Sequence, residues 1–289
     1  MQEYGYEYAE SWFNLPTQLE KAGALWLVRS GRNIAKSNYA VGPKVIDCYG
    51  FHFILEGKLR LDFEGESVIL QKNDLFCLLP HISYTYKIVP SPETLQMVWI
   101  TMDGGMMPEL LVHMGLQKGA PYKRMAVNRS VSIVLGRLIE LFASRSADPL
   151  VRQSLLLRLF ACIGAGGANV SEDTDLFDER RVELQAGHWL TRAVEYIQLH
   201  FTEPLSIEEM ARMAGVHRSH FSSVFSRETG LSPRQLVLRL RMEKAVSLLQ
   251  DEALSITETA LSVGYPDVYS FSRSLKKFFG RSPSQWMRQ

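Results

Sequence analysis

Gly264-Tyr265-Pro266-Asp267-Val268-Tyr269-Ser270-Phe271-Ser272-Arg273, running on to Phe279-Gly280-Arg281-Ser282-Pro283, is the stretch whose reading decides the fold of the C-terminal third. A short helix precedes it, opening at Leu254-Ser255-Ile256 with Glu258 three residues beyond Ser255, the spacing of a capping box. Ala260 stands four residues before Gly264. A small residue lets two helices cross closely, and glycine takes the left-handed backbone that a helix-turn-helix needs at its turn. The second helix presents Phe271 and Leu275 to a core and stops at Gly280, shortly before Ser282-Pro283.

The same order of residues occurs about 50 residues upstream. Leu205-Ser206-Ile207 leads to Glu209, then to Ala211 and Gly215, then to Phe221 and Phe225, and ends at Gly230 with Ser232-Pro233. The second copy carries one additional residue after its glycine, and the register otherwise holds. Between the copies, Arg234 to Gln250 reads as one long helix with Leu236, Leu240, Ala245, Leu248 and Leu249 inward. Two helix-turn-helix units on a stiff connector suit double-stranded DNA. Their second helices would enter adjacent major grooves roughly one helical turn, ~34 Å, apart.

The rest of the 289-residue chain sets bounds on this reading. An apolar fraction of 46% and a charged fraction of 22% are those of a globular protein. No apolar run is long enough to cross a bilayer, and Met1 to Glu10 has no basic region of the kind that opens a secretory signal. Cys48, Cys77 and Cys162 lie far apart within apolar stretches and read as buried thiols in a reducing cytosol. Trp189 to Gln289 holds 13 Lys+Arg against 10 Asp+Glu, a net +3, whereas the remainder, with 19 and 21, carries −2. The asymmetry has the sign a DNA-binding C-terminal domain needs.

The expected fold class is α+β. Residues 1–122 read as a domain of many short strands, a barrel or jelly roll. Leu59, Leu61 and Phe63 alternate with polar residues, Glu64-Gly65-Glu66 turns the chain, and Val68-Ile69-Leu70 returns it. Further strands are expected at Ala24–Val28, Phe51–Leu55, Leu75–Leu79 and Leu95–Thr101, separated at Gly31, Gly42-Pro43, Asn73-Asp74 and Pro90-Ser91-Pro92. Residues 123–164 turn helical: Val131, Val134, Leu135, Leu138, Leu141 and Phe142 recur at helical spacing, as do Val151, Leu155, Leu156, Leu159 and Phe160. These helices either cover the barrel or use their outer faces for dimerisation. Residues 165–186 have the Gly-rich and polar composition of a linker, and 187–289 form the DNA-binding domain.

The C-terminal motifs closely resemble the signature of the AraC/XylS family of transcription regulators, over about 100 residues from Trp189 to Arg288. Pro266 departs from the family pattern, where a serine is usual; proline at a helix start preserves the turn. The resemblance implies base reading by the exposed face of each second helix. In the first, Arg218, Ser219, Ser222 and Ser223 would be presented, with His220 and Arg227 nearby; in the second, Asp267, Val268, Tyr269, Ser272 and Arg273. Arginine pairs bidentately with guanine, and serine suits many base edges. Asp267 would accept from cytosine or cap its helix, the cap being favoured, and Lys276 and Lys277 would meet phosphates.

The N-terminal region also resembles the family's cupin-like effector domain, through Phe53-Ile54-Leu55-Glu56-Gly57, Asn73-Asp74, Pro80 and Trp99. That implies a small-molecule effector, a carbohydrate above other classes, with Tyr86 and Trp99 lining the pocket and Lys44 as the nearest basic residue upstream. Tyr86 and Trp99 read equally as barrel core. A homodimer in the cytoplasm is expected, with RNA polymerase as a partner if the protein activates transcription.

A metal-dependent cupin enzyme is the rival from another class. It needs about three histidines and a carboxylate converging on one ion. His52 and Glu56 offer an H-x-x-x-E spacing, but Ser83 stands where a further histidine is wanted, and His81 lies beside a turn. His217 and His220 share a surface without a third ligand. No cofactor, metal or catalytic residue is expected, and no receiver-domain pattern precedes the DNA-binding region. A third reading has the barrel dimerise without binding any small molecule.

Overall fold

The computed structural model describes residues 1–144, 148–164, 189–250 and 254–287. The expected linker at 165–186 lies outside the described residues. The chain divides into two units, the first holding Met1–Gly42 and the described residues from Ile46 to Gly164, the second holding Pro43–Val45 and everything described from Trp189 onward.

The first unit is built from β1 (Gln2–Glu3), β2 (Glu7–Phe13), α1 (Gln18–Ala22), β3 (Trp26–Ala35), β4 (Ala40–Lys44), β5 (Tyr49–Glu56), β6 (Lys58–Phe63), β7 (Glu66–Gln71), β8 (Leu75–Leu78), β9 (Tyr84–Ile88), β10 (Gln96–Asp103), α2 (Met107–Met114), β11 (Tyr122–Lys123), α3 (Arg129–Ser144) and α4 (Pro149–Gly164). A seven-stranded sheet runs β1-β2-β3-β10-β5-β8-β11, and a four-stranded sheet runs β4-β9-β6-β7.

The larger sheet is covered on both faces, which is why its strands read as nearly continuous apolar runs and not as simple alternation. Along β5, Phe51 and Phe53 join one core while Ile54 joins the other; along β8, Leu75 and Cys77 divide from Phe76 and Leu78 in the same way. The outer core is closed by α2, α3 and α4, with Phe51 and Phe160 meeting edge to face at 5.5 Å. So the inward faces of α3 and α4 cover the sheet, while Ile133, Leu150 and Leu157 stand exposed on these helices.

The β6–β7 hairpin closes through two residues, with Phe63 paired to Glu66 and both Glu64 (φ 47°) and Gly65 (φ 83°) left-handed. This is the backbone that a two-residue hairpin turn requires. Two expected breaks are corrected. Gly31 does not separate strands but sits in the middle of β3, where a Cβ would strike the Trp99 ring and approach the Glu10 carbonyl oxygen to 2.6 Å. Gly42 and Pro43 lie within β4. Close packing, not chain reversal, explains the glycine at 31. Cys77 and Cys162 are buried and Cys48 is only half-buried; all three are free thiols.

The second unit is helical: α5 (Trp189–His200), α6 (Ile207–Met213), α7 (Arg218–Thr229), α8 (Pro233–Leu249), α9 (Ile256–Ser262), α10 (Val268–Phe279) and α11 (Pro283–Trp286). Phe221, Phe225, Phe271 and Leu275 are fully buried, as the repeat requires. In α8 the buried positions are Pro233, Met242, Ala245, Leu248 and Leu249, whereas Leu236 and Leu240 are half-buried.

Candidate nucleic-acid interface and effector pocket

Each repeat folds into a helix-turn-helix by the same local devices. Ser206 Oγ accepts from the Glu209 N–H at 3.3 Å, and Ser255 makes both halves of a capping box with Glu258. The turn glycines, Gly215 (φ 68°) and Gly264 (φ 85°), and the helix-ending Gly230 (φ 73°) and Gly280 (φ 75°) are all left-handed.

With two aromatic rings anchored beneath it, α7 exposes Arg218, Ser219, His220, Ser223 and Arg227, with Ser222 half-buried. His217 caps the helix through Nδ1, which lies 2.8 Å from Ser219 Oγ. Likewise α10 exposes Arg273, Lys276, Lys277 and Tyr269, the last 75% exposed, with Val268 and Ser272 half-buried beside them. Asp267 is the cap of α10: Oδ1 accepts the Ser270 N–H at 2.7 Å and Oδ2 its hydroxyl at 3.0 Å. Those two bonds hold its carboxyl below the usual aspartate range.

The second helices of the two motifs, α7 and α10, differ in charge. Arg218 is paired with Glu208 at 2.5 Å and Arg227 with Glu228 at 2.8 Å. Among the described residues Arg273, Lys276 and Lys277 enter no ion pair. The second helix therefore offers cations without first breaking a partner's bond, and the serine-rich first helix offers mainly hydroxyls.

Sequence reasoning missed Arg241, on α8. Its Nε donates to Phe201 O at 2.6 Å, Nη1 to Gly264 O at 3.0 Å and Nη2 to Glu203 O at 2.9 Å, and the guanidinium sits 5.7 Å from the Tyr265 ring centre. Its fork reaches three carbonyls at once, which a lysine's single ammonium cannot do in the same geometry. Nothing in periodicity marks this arginine, because its partners are backbone atoms far away in sequence.

Between the two sheets of the barrel, aromatic and polar side chains converge. Tyr86 and Tyr39 are buried with ring centres 6.2 Å apart, and His52 stacks on Phe76 at 4.5 Å and lies 5.4 Å from Tyr86. Asn33 Nδ2 donates to Glu7 Oε2 at 2.6 Å, and Arg29 Nε donates to Thr101 Oγ1 at 3.3 Å. The registers Thr101↔Arg29, Trp99↔Gly31 and Met97↔Asn33 put these residues on one face of β3 and β10, the face Met97 shares with the inner core. Burial, and then the Glu7 charge, push the Tyr86 hydroxyl well above the ordinary tyrosine range. Tyr39 is raised too, by burial and then by Tyr86 and Glu7. Both hydroxyls are therefore neutral donors. Asn33 is 2% exposed, and its Oδ1 has no hydrogen-bond partner among the described residues.

Of the expected effector residues, Tyr86 lies in this cluster and Trp99, half-buried, packs over Gly31 at its edge. Lys44 ends β4 within the segment that groups with the second unit. The basic residue on the inner face is Arg29. Period-two spacing through Gly31 would have found Arg29 and Asn33; taking Gly31 as a break hid both. The H-x-x-x-E pair diverges: His52 Nδ1 lies 3.1 Å from Gly50 O, whereas Glu56 pairs with Lys72 at 2.5 Å. His81 is exposed in a left-handed turn (φ 63°).

Known proteins share both halves. A helix-turn-helix domain matches residues 210–289, and an AraC-like ligand binding domain matches residues 34–160. The Msm operon regulatory protein of Streptococcus mutans is 27% identical over 258 residues, 87% of this chain and 88% of its own length. The raffinose operon transcriptional regulatory protein RafR of Pediococcus pentosaceus is 24% identical over 267 residues, 89% and 91%. The lactose operon transcription activator of Staphylococcus xylosus is 24% identical over 255 residues, 86% and 85%. An AraC-like ligand binding domain and a helix-turn-helix domain in one chain, matched over 86–89% of its length by operon regulators, place this protein in the AraC family of DNA-binding transcription regulators.

Proposed function

We propose that the protein is a carbohydrate-responsive regulator whose effector sits inside the barrel. The observation that carries this is the Asn33 Oδ1 acceptor, buried and without a donor among the described residues, in a lining of neutral tyrosine hydroxyls, the Glu7 carboxylate and aromatic rings. Sugars present both a ring of hydroxyls and an apolar C–H face, and this lining answers both. Two of the similar regulators are named for raffinose and lactose operons, which supports the same class.

The regulator acts as a cytoplasmic homodimer and not as an enzyme. Exposed Ile133, Leu150 and Leu157 on α3 and α4 supply apolar surface for pairing. The effector must bind one arrangement of the dimer better than the other, or it changes nothing. If the outcome is activation, RNA polymerase is the further partner. The base-reading set is Arg218, Ser219, Ser222 and Ser223 on α7, with His220 and Arg227 nearby, and Val268, Tyr269, Ser272 and Arg273 on α10, with Lys276 and Lys277 on phosphates and Asp267 capping.

Calorimetry of the full chain against a panel of mono-, di- and trisaccharides tests the reading. One sugar should bind the wild type, and Asn33→Leu should weaken it at least tenfold. Silence across the panel would overturn the carbohydrate assignment and leave the barrel as a dimerisation module; equal binding by Asn33→Leu would place the sugar away from Asn33.

A further inference from the structure

The two helix-turn-helix units look alike in sequence but are not alike in their surroundings. At Gly215 an added Cβ would meet nothing within 4 Å. At Gly264 the same atom would fall on the backbone carbonyl of Thr202, in the loop that leads into the first unit. The turn of the second unit is thus seated directly on the approach to the first, and Arg241 of the connecting helix holds both sides of that seam. It binds Phe201 O and Glu203 O on one side and Gly264 O on the other.

We propose that Arg241 is a positioning residue that fuses the two units into one rigid block, so that occupancy of one DNA half-site presents the second reading helix to the other half-site in register. The α8 helix alone fixes only one end of each unit. Three hydrogen bonds from one planar, charged group add a second point of attachment, and carbonyl acceptors facing a cation make strong ones. Tyr265, the residue after Gly264, lies beneath the guanidinium and limits its swing.

The consequence is in the linkage between the half-sites, not in either contact alone. A second probe held in register acts at high effective concentration and raises affinity by about 10²–10⁴-fold without new contacts; loosening the block removes that gain first. Arg241 touches neither reading face, since α7 and α10 present their exposed residues elsewhere.

A duplex that the wild-type chain selects from a random library supplies the probe, with versions in which either half-site is scrambled. For the wild type, restoring the second half-site should raise affinity at least ~100-fold. Arg241→Gln should bind each single-half-site duplex within about twofold of the wild type yet gain less than ~10-fold from the intact site. It should also tolerate half-site spacings, changed by one or two base pairs, that the wild type rejects. Circular dichroism and the thermal midpoint report folding; if Arg241→Gln is unfolded at the assay temperature, Arg241→Lys replaces it, keeping the charge without the fork. A variant with the full second-site gain and the wild-type spacing preference overturns the proposal. So does one that loses single-half-site and intact-site affinity by the same factor while folded.

Discussion

The side-chain amide of Asn33 donates to the Glu7 carboxylate at 2.6 Å, joining the N-terminal strand β2 to the inner face of β3 within an aromatic barrel. After burial itself, the same carboxylate helps to raise the buried Tyr39 and Tyr86 hydroxyls, so one negative charge bears on both. Glu7→Gln keeps the shape and removes the charge. Dose–response curves for the effector, read by DNA binding, should shift to roughly tenfold higher concentration, the worth of one hydrogen bond to a charged group. Affinity for DNA without effector should stay as it is. An unshifted curve would take Glu7 out of the effector site.

Arg273 on α10 has no acidic partner among the described residues, whereas Arg218 and Arg227 on α7 each hold a glutamate. Arg273→Ala should weaken specific binding by about 1–3 kcal/mol and relax base preference at one position. Arg218→Ala should cost less, because its ion pair with Glu208 must first open. Gel-shift titrations on specific and random duplexes decide the matter: an equal loss on both for Arg273→Ala would make it a phosphate contact.

Much of this architecture could be read from the sequence, and the failures have definite causes. The paired glycines and caps of the C-terminal unit are local signals, each fixed by a backbone conformation within a few residues, so they survive without tertiary knowledge. The strands at Phe51 and Leu75 were legible from their apolar runs. Gly31 misled because glycine in a strand and glycine in a turn look the same until the Trp99 ring that crosses it is known. Asn33 and Arg29 were hidden by that break. Arg241 was illegible for another reason: its partners are carbonyls, which every residue carries.

The Asp267 cap carries a pH signature. Its folded carboxyl lies below the ordinary value of 3.8, drawn down first by the Ser270 N–H and then by the Ser270 hydroxyl. A depressed carboxyl stabilises the fold above the pKa of the unfolded chain, and that contribution is lost as pH falls through the folded value. Asp267→Asn retains an acceptor for the Ser270 N–H but does not titrate. The thermal midpoint of the wild type should therefore exceed that of Asp267→Asn at neutral pH, and the gap should close as acid protonates the cap. A gap independent of pH would assign the difference to geometry instead of charge.

The unlike settings of Gly215 and Gly264 make the sharpest comparison, since the two glycines occupy equivalent places in the repeat. Both are left-handed, at φ 68° and 85°. Asparagine tolerates that conformation better than other side-chain-bearing residues, so backbone strain from Gly→Asn should be similar at the two sites. What differs is space: open at Gly215, filled by the Thr202 carbonyl and, 3.1 Å away, by Arg241 Nη2 at Gly264. Gly215→Asn should cost about 1 kcal/mol, the low end of the αL backbone penalty. Gly264→Asn should cost a further ~1–3 kcal/mol, because backbone must move to admit the Cβ. Chemical denaturation of the two variants, monitored by helical circular dichroism, gives both numbers. Equal losses would mean that the second turn does not rest on the Thr202 loop, and the seam that Arg241 clamps would lose its basis.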